Sequence, residues 1–193
     1  MEIGGIAPLR TSSAPATMMP KPPLSTSGSL TTMLRRIGTM MRKVLYGVSA
    51  LLLASGVLQL FFAGYMVFQN SIEEIHDAAL YHSLNGQFVL RGLALLAIIL
   101  AAVARAGKRM VWLAVGIFLM SLVQLLIFIV GGMLTGSSEE HITPEGSWVA
   151  AVHPVTGMLM IFMSYWFFLR CRELAKSKAP ARSDAKAGST AQV

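Results

Sequence analysis

Apolar residues run almost unbroken through four stretches of the chain, 44–68, 84–104, 110–134 and 148–169, separated by short polar segments. Each reaches the ~20 residues that a helix needs to cross ~30 Å of hydrocarbon. A backbone in lipid must satisfy its own hydrogen bonds, so helix is the form these stretches predict. The pattern therefore predicts an all-α integral membrane protein, a four-helix up-down-up-down bundle over residues 43–172. The flanks carry no such pattern. Residues 1–42 hold Pro8, Pro15, Pro20, Pro22 and Pro23 among Ser, Thr and Met, and residues 173–193 are rich in Ala, Ser and Lys. Both are predicted to be disordered cytoplasmic tails. The first stretch is too long for the core of a secretory signal, and Met33 offers a later start for the working unit.

Charge supplies the orientation. Only 13% of the 193 residues are charged, against roughly 25% in soluble domains. The Lys and Arg residues gather before the first stretch (Arg35, Arg36, Arg42, Lys43), between the second and third (Arg105, Lys108, Arg109) and after the fourth (Arg170, Arg172, Lys176). The two remaining connections carry Glu73, Glu74 and Asp77, and Glu139, Glu140 and Glu145, with no Lys or Arg. By the positive-inside rule both termini are cytoplasmic, as in a multi-pass protein of a bacterial inner membrane. The net charge of +7 is thus explained by topology and anionic headgroups. Without an aromatic-interleaved basic patch it does not predict nucleic acid as a partner. The single cysteine, Cys171, excludes an internal disulfide and reads as an ordinary residue near the cytoplasmic interface.

Polar residues inside the apolar stretches are the candidates for chemistry. Gln59 interrupts the first and Gln124 the third, where amides commonly bridge helices. Arg91 interrupts the second, at a cost of about 2.5–3.5 kcal/mol on insertion scales. Nine helical steps separate it from His82, which puts the two on opposite faces of a regular helix. It reads either as an anchor snorkelling outward from about two turns below the surface or as the contact of a buried acid or ligand carboxylate. The second and fourth stretches open with matching words, His82-Ser-Leu-Asn-Gly86 and His153-Pro-Val-Thr-Gly157.

These words belong to a weak internal repeat. Leu58-Gln59-Leu60 precedes the first acidic connection and its His-x-x-x-Gly word, and Val123-Gln124-Leu125 precedes the second. Both halves run from inside to outside and back, so they would be parallel repeats about an axis along the membrane normal. In a square bundle the second and fourth helices occupy diagonal corners, and His82 and His153 can face each other at similar depth. A b-type haem needs two neutral imidazoles on opposite sides of iron. Gly86 and Gly157, one turn deeper than the histidines, would leave room for a porphyrin edge. Interfacial histidines and packing glycines explain the same spacing without a cofactor. Zinc is less expected: His76, His82, His141 and His153 share no close ligand motif. Neither a nucleophilic triad nor a phosphate-binding glycine loop is present, and no catalytic residue is assigned.

Leu58-Gln59 with Ala63-Gly64, His82 with Gly86, Gln124, and Val152-His153-Pro154-Val155-Thr156-Gly157 together resemble a family of small bacterial four-helix membrane proteins of unknown function. The likeness covers about residues 43–172. The same residues look like one four-helix half of haem A synthase, which implies haem ligation by His82 and His153. The acidic and basic signatures of that enzyme are not evident, so its oxygenating chemistry is not implied. The leading expectation is a module that binds haem b for electron transfer or redox homeostasis. Its partners would be the lipid bilayer and a membrane redox protein or a second copy of the chain. A cofactor-free structural or accessory protein is the expectation from a different class, and a small transporter a third.

Overall fold

The computed structural model describes residues 27–138 and 141–177. They form six helices, α1 (Ser27–Val67), α2 (Ile72–Leu84), α3 (Arg91–Val103), α4 (Lys108–Thr135), α5 (Pro144–Ala150) and α6 (Val152–Lys176). A π-helical segment, Asn85–Leu90, fuses α2 to α3 without a break in the helix. Four segments are long and apolar enough to cross a membrane, Arg36–Val67, Glu73–Val103, Lys108–Thr135 and Pro144–Lys176. The expected all-α, four-span architecture is what the chain adopts.

The helices outrun the apolar stretches. Residues 27–42, expected to be tail, form the start of α1, and α6 continues past residue 172 to Lys176. Residues 1–26 and 178–193, the outer parts of the expected tails, lie outside the described residues, as do Glu139 and Glu140. The acidic segment after the first span is helical too. Ser71 caps α2 by accepting from the Glu74 backbone N–H at 3.2 Å, and Glu73 and Glu74 lie in the first turn, where a carboxylate complements the helix dipole. Pro154 falls in the first turn of α6, where its missing N–H has no helical partner to lose.

Packing contacts join α1 to α2, α3 and α6, and α4 to α3, α5 and α6, while the backbone of α6 does not approach that of α2 or α3. The bundle is therefore a square whose second and fourth spans sit at opposite corners. The short turn Ala104–Gly107, with Arg105 and Gly107 at positive φ, makes α3 and α4 antiparallel neighbours. At the end of the bundle that holds the two described ends of the chain, the core is built on a helical period. Leu45, Val48 and Leu52 of α1 meet Ala94, Ala97 and Ala101 of α3, Ala114 and Ile117 of α4, and Phe167 and Cys171 of α6. In lipid, close backbone approach through small residues such as these alanines replaces the hydrophobic drive of a soluble core. Cys171 is completely buried in this cluster.

Candidate functional site

The opposite, distal end is organised by polar side chains. On the side of α1 and α2, Gln59 and His82 clasp each other: Gln59 Nε2 donates to the His82 carbonyl at 2.8 Å, and His82 Nδ1 donates to the Gln59 carbonyl at 3.2 Å. A carbonyl can only accept, so this bond fixes the His82 proton on Nδ1 and leaves Nε2 with its lone pair. Buried Asn85 completes the cluster. Its Nδ2 donates to Gln59 Oε1 at 2.6 Å and to the Ser55 carbonyl at 2.9 Å, and its Oδ1 accepts from Ser55 Oγ at 2.9 Å. Every polar atom of the Asn85 side chain is engaged, as a polar network in a low dielectric requires.

The side of α4 and α6 repeats the plan. With each atom of its amide facing a complementary group, Gln124 donates from Nε2 to His153 Nδ1 at 2.7 Å and to the His153 carbonyl at 3.1 Å. Its Oε1 accepts from Thr156 Oγ1 at 3.0 Å and from the Gly157 backbone N–H at 2.7 Å. Each His-x-x-x-Gly word thus holds the glutamine of the preceding span. The residue three after the histidine, Asn85 or Thr156, supplies the second polar contact. The glycine beside it gives the amide room. A Cβ at Gly86 would come within 2.7 Å of Gln59 Nε2, and one at Gly157 within 3.7 Å of the near atom of the Gln124 amide, its Oε1 in this orientation. The space expected for a porphyrin edge is filled by glutamine.

The two clusters meet across the diagonal. The His82 and His153 rings have centroids 6.0 Å apart with planes inclined at 56°, and Phe128 of α4 lies against His153 at 4.7 Å. Both histidines are half-buried. Gln124, level with His153, stands eleven residues before the end of α4, a rise of about 16 Å. The pair therefore lies about three turns in from that end of α4. His76 is exposed on α2 and His141 on the loop before α5, and among the described residues no three His, Cys, Asp or Glu side chains converge as metal ligands.

Arg91 meets a backbone carbonyl and no acid among the described residues. Its Nη2 donates to the Ser121 carbonyl at 3.3 Å and its Nε is buried without a partner. Among the described residues the ion pair present joins Arg170 and Glu173, not Arg91. Ser121 is close to the middle of α4, so Arg91 lies at mid-height and not two turns from an end. Nor is it opposite His82. The π-helical segment inserts about one extra residue into the turn, which shifts the phase by roughly 100° and aims Arg91 at α4.

The cross-helix roles of Ser55, Asn85 and Thr156 are what the sequence reading missed. The available signal was the shared polar residue at the third position after each histidine, on the same helix face. A comparison with family models, curated proteins and solved structures finds no match to this chain. What the geometry defines is a class: a multi-pass four-helix membrane protein with two matching glutamine–histidine clasps in its distal half.

Proposed function

We propose that the bundle binds one haem b between His82 and His153 and serves electron transfer or redox homeostasis in a bacterial inner membrane, with both termini cytoplasmic. The observation that carries this reading is the approach of two imidazoles from diagonal helices, with centroids 6.0 Å apart. Two metal–imidazole bonds of about 2 Å and two ring radii of roughly 1 Å add to about the same separation. His82 fits the role of ligand directly, because the Gln59 carbonyl holds its Nδ1–H and leaves Nε2 free. When bound, such a haem supplies a one-electron iron couple. The chain's own residues fix the imidazoles and, through the half-buried apolar setting that includes Phe128, restrict water around them. The basic residues at the end of the bundle holding the chain termini support the orientation, and a membrane redox protein is the partner such a carrier requires.

A second reading has its own observation. Glutamine fills the space beside both glycines and ties each histidine to a neighbouring helix, so the clasps would also serve a cofactor-free accessory bundle. The test is a dithionite-reduced minus oxidised spectrum of the full-length protein purified in detergent from haem-replete cells. The expected result is a low-spin b-type spectrum that His82→Ala and His153→Ala each abolish and that His76→Ala and His141→Ala leave intact. A haem-free wild type overturns the haem reading and favours the second.

A further inference from the structure

The first helix is about twice as long as a membrane requires. Its 41 residues rise about 61 Å, against ~30 Å of hydrocarbon. The surplus lies at one end. Arg42 Nη1 donates to Ser177 Oγ at 3.4 Å, so Arg42 is level with the last described residue beyond α6. Residues 27–41 of α1 therefore stand beyond the bundle, a rise of about 22 Å. This projecting part is not polar all round. Met33, Ile37 and Met40 are 60%, 45% and 62% exposed, and steps of four and three residues set them on one face of the helix. Arg36 and Lys43 flank that face, and Arg42 lies behind it, toward α6. The same steps continue into the span as Val44, Gly47 and Leu51, all of them at the surface. Hydrocarbon accounts for the exposure of Leu51. It does not reach Met33, and a solitary helix of this length is marginal in water.

We infer that the protein is a parallel homodimer through α1, in which the seam of Met33, Ile37, Met40, Val44, Gly47 and Leu51 packs on the same seam of a second copy about an axis along the membrane normal. Two copies inserted in one orientation bring identical residues to the same height, so one copy supplies the other with a matching stripe both outside the bilayer and within it. Alternating steps of four and three average ~3.5 residues, the period that keeps a seam turned toward a partner helix in a left-handed supercoil. Charge permits the pairing. The flanking positions of Arg36 and Lys43 face Met41 and Val48 of the second copy, both apolar, so no cation is set against a cation. Gly47, with nothing within 4 Å of a Cβ built there, leaves the two backbones free to approach inside the membrane. Each copy keeps its own His82 and His153, and the dimer does not depend on the haem reading.

Single-cysteine variants of the full-length protein test this in membranes, since the native Cys171 is buried. Under mild oxidation Met33→Cys, Ile37→Cys and Met40→Cys should each give a disulfide-linked dimer, and Thr32→Cys, exposed on the flank of the same helix, should give little. Energy transfer between labelled copies in vesicles, followed as protein is diluted into lipid, gives the dissociation constant. Ile37→Glu, which lies outside the bundle, and Gly47→Ile, which meets no neighbour within one copy, should each weaken association about tenfold or more, or ~1.4 kcal/mol. A monomer at working dilution, or linkage as strong from Thr32→Cys as from Ile37→Cys, overturns the dimer. So does a monomer in which the Ile37→Cys thiol is shielded from a water-soluble maleimide, which would mean that the projecting helix lies on the lipid surface instead. A dimer that takes up no haem leaves this inference standing and removes the functional reading, and a haem-loaded monomer does the reverse.

Discussion

The two halves of the bundle carry the same clasp built to different tolerances. In the first, Gln59 is held by Asn85, which Ser55 in turn fixes, and its amide is pinned in one orientation. In the second, Thr156 stands where Asn85 stands, and its hydroxyl also has its own helix's Val152 and His153 carbonyls, each at 3.0 Å. The match extends below the clasp. Three residues before Gln124, Ser121 receives Arg91; three residues before Gln59, Gly56 faces Ile161, whose Cγ1 would lie 3.3 Å from a Cβ there. Ile161 is eight residues after His153 and Arg91 nine after His82, and the π-helical segment absorbs the extra residue. A single inserted residue, with Asn85 in place of Thr156 and Arg91 in place of Ile161, thus sets the first half, a clasp over a buried cation, apart from the second. The lesson is that matching positions in two halves of a bundle can hold the same glutamine–histidine contact with different neighbours.

The largest expected break in this comparison is at the third residue of each word. Asn85→Ala removes three hydrogen bonds and strands Ser55 Oγ and Gln59 Oε1 in the bundle interior. We expect a loss of about 2 kcal/mol, since buried groups left unpaired cost more than an average interhelical bond. Thr156→Val should cost about 0.6 kcal/mol, the usual worth of one interhelical hydrogen bond in a membrane bundle. Reversible denaturant unfolding in mixed micelles measures both. Equal losses would show that the two clasps are equally rigid.

A smaller difference is expected at the glycines. Gly86→Ala would push a methyl group into the pinned Gln59 amide, at 2.7 Å, and break its bond to the His82 carbonyl, for a loss of about 1 kcal/mol. Gly157→Ala meets Gln124 at an ordinary 3.7 Å, and alanine is the better helix former by about 0.8–1.0 kcal/mol, so this variant should be as stable as the wild type or more so. The same unfolding measurement compares them. A Gly157→Ala variant that loses as much as Gly86→Ala would remove the distinction in tolerance.

The four spans were legible in the sequence because length and hydropathy decide what a segment does in lipid. The square arrangement and the pairing of His82 with His153 followed from the repeat and from the order of the helices. The role of the glycines was not legible. Spacing put Gly86 and Gly157 one turn from each histidine, but spacing does not say which side chain, from which other span, enters the gap. Arg91 was misplaced for a different reason: its predicted face assumed a regular helix, and an apolar run such as Gln87-Phe88-Val89-Leu90 carries no mark of a π-helical turn. Helix ends were also set too short, because apolar stretches mark the extent of a span and not the extent of the helix that contains it.

The smallest effect expected is at Arg91, and it tests whether the first half carries its cation at a cost. Its guanidinium has one carbonyl partner, an unpartnered Nε and no acid paired with it among the described residues. A charge in that setting is a net burden that apolar side chains of similar size often relieve. Arg91→Ile, which installs the residue found at the equivalent place in the second half, should therefore leave the metal-free protein unchanged or raise its stability by up to about 1 kcal/mol. The clasp one turn away should be undisturbed. A loss above 1 kcal/mol in the unfolding measurement would show that Arg91 stabilises the bundle through the Ser121 carbonyl, and that the first half depends on the very residue that sets it apart from the second.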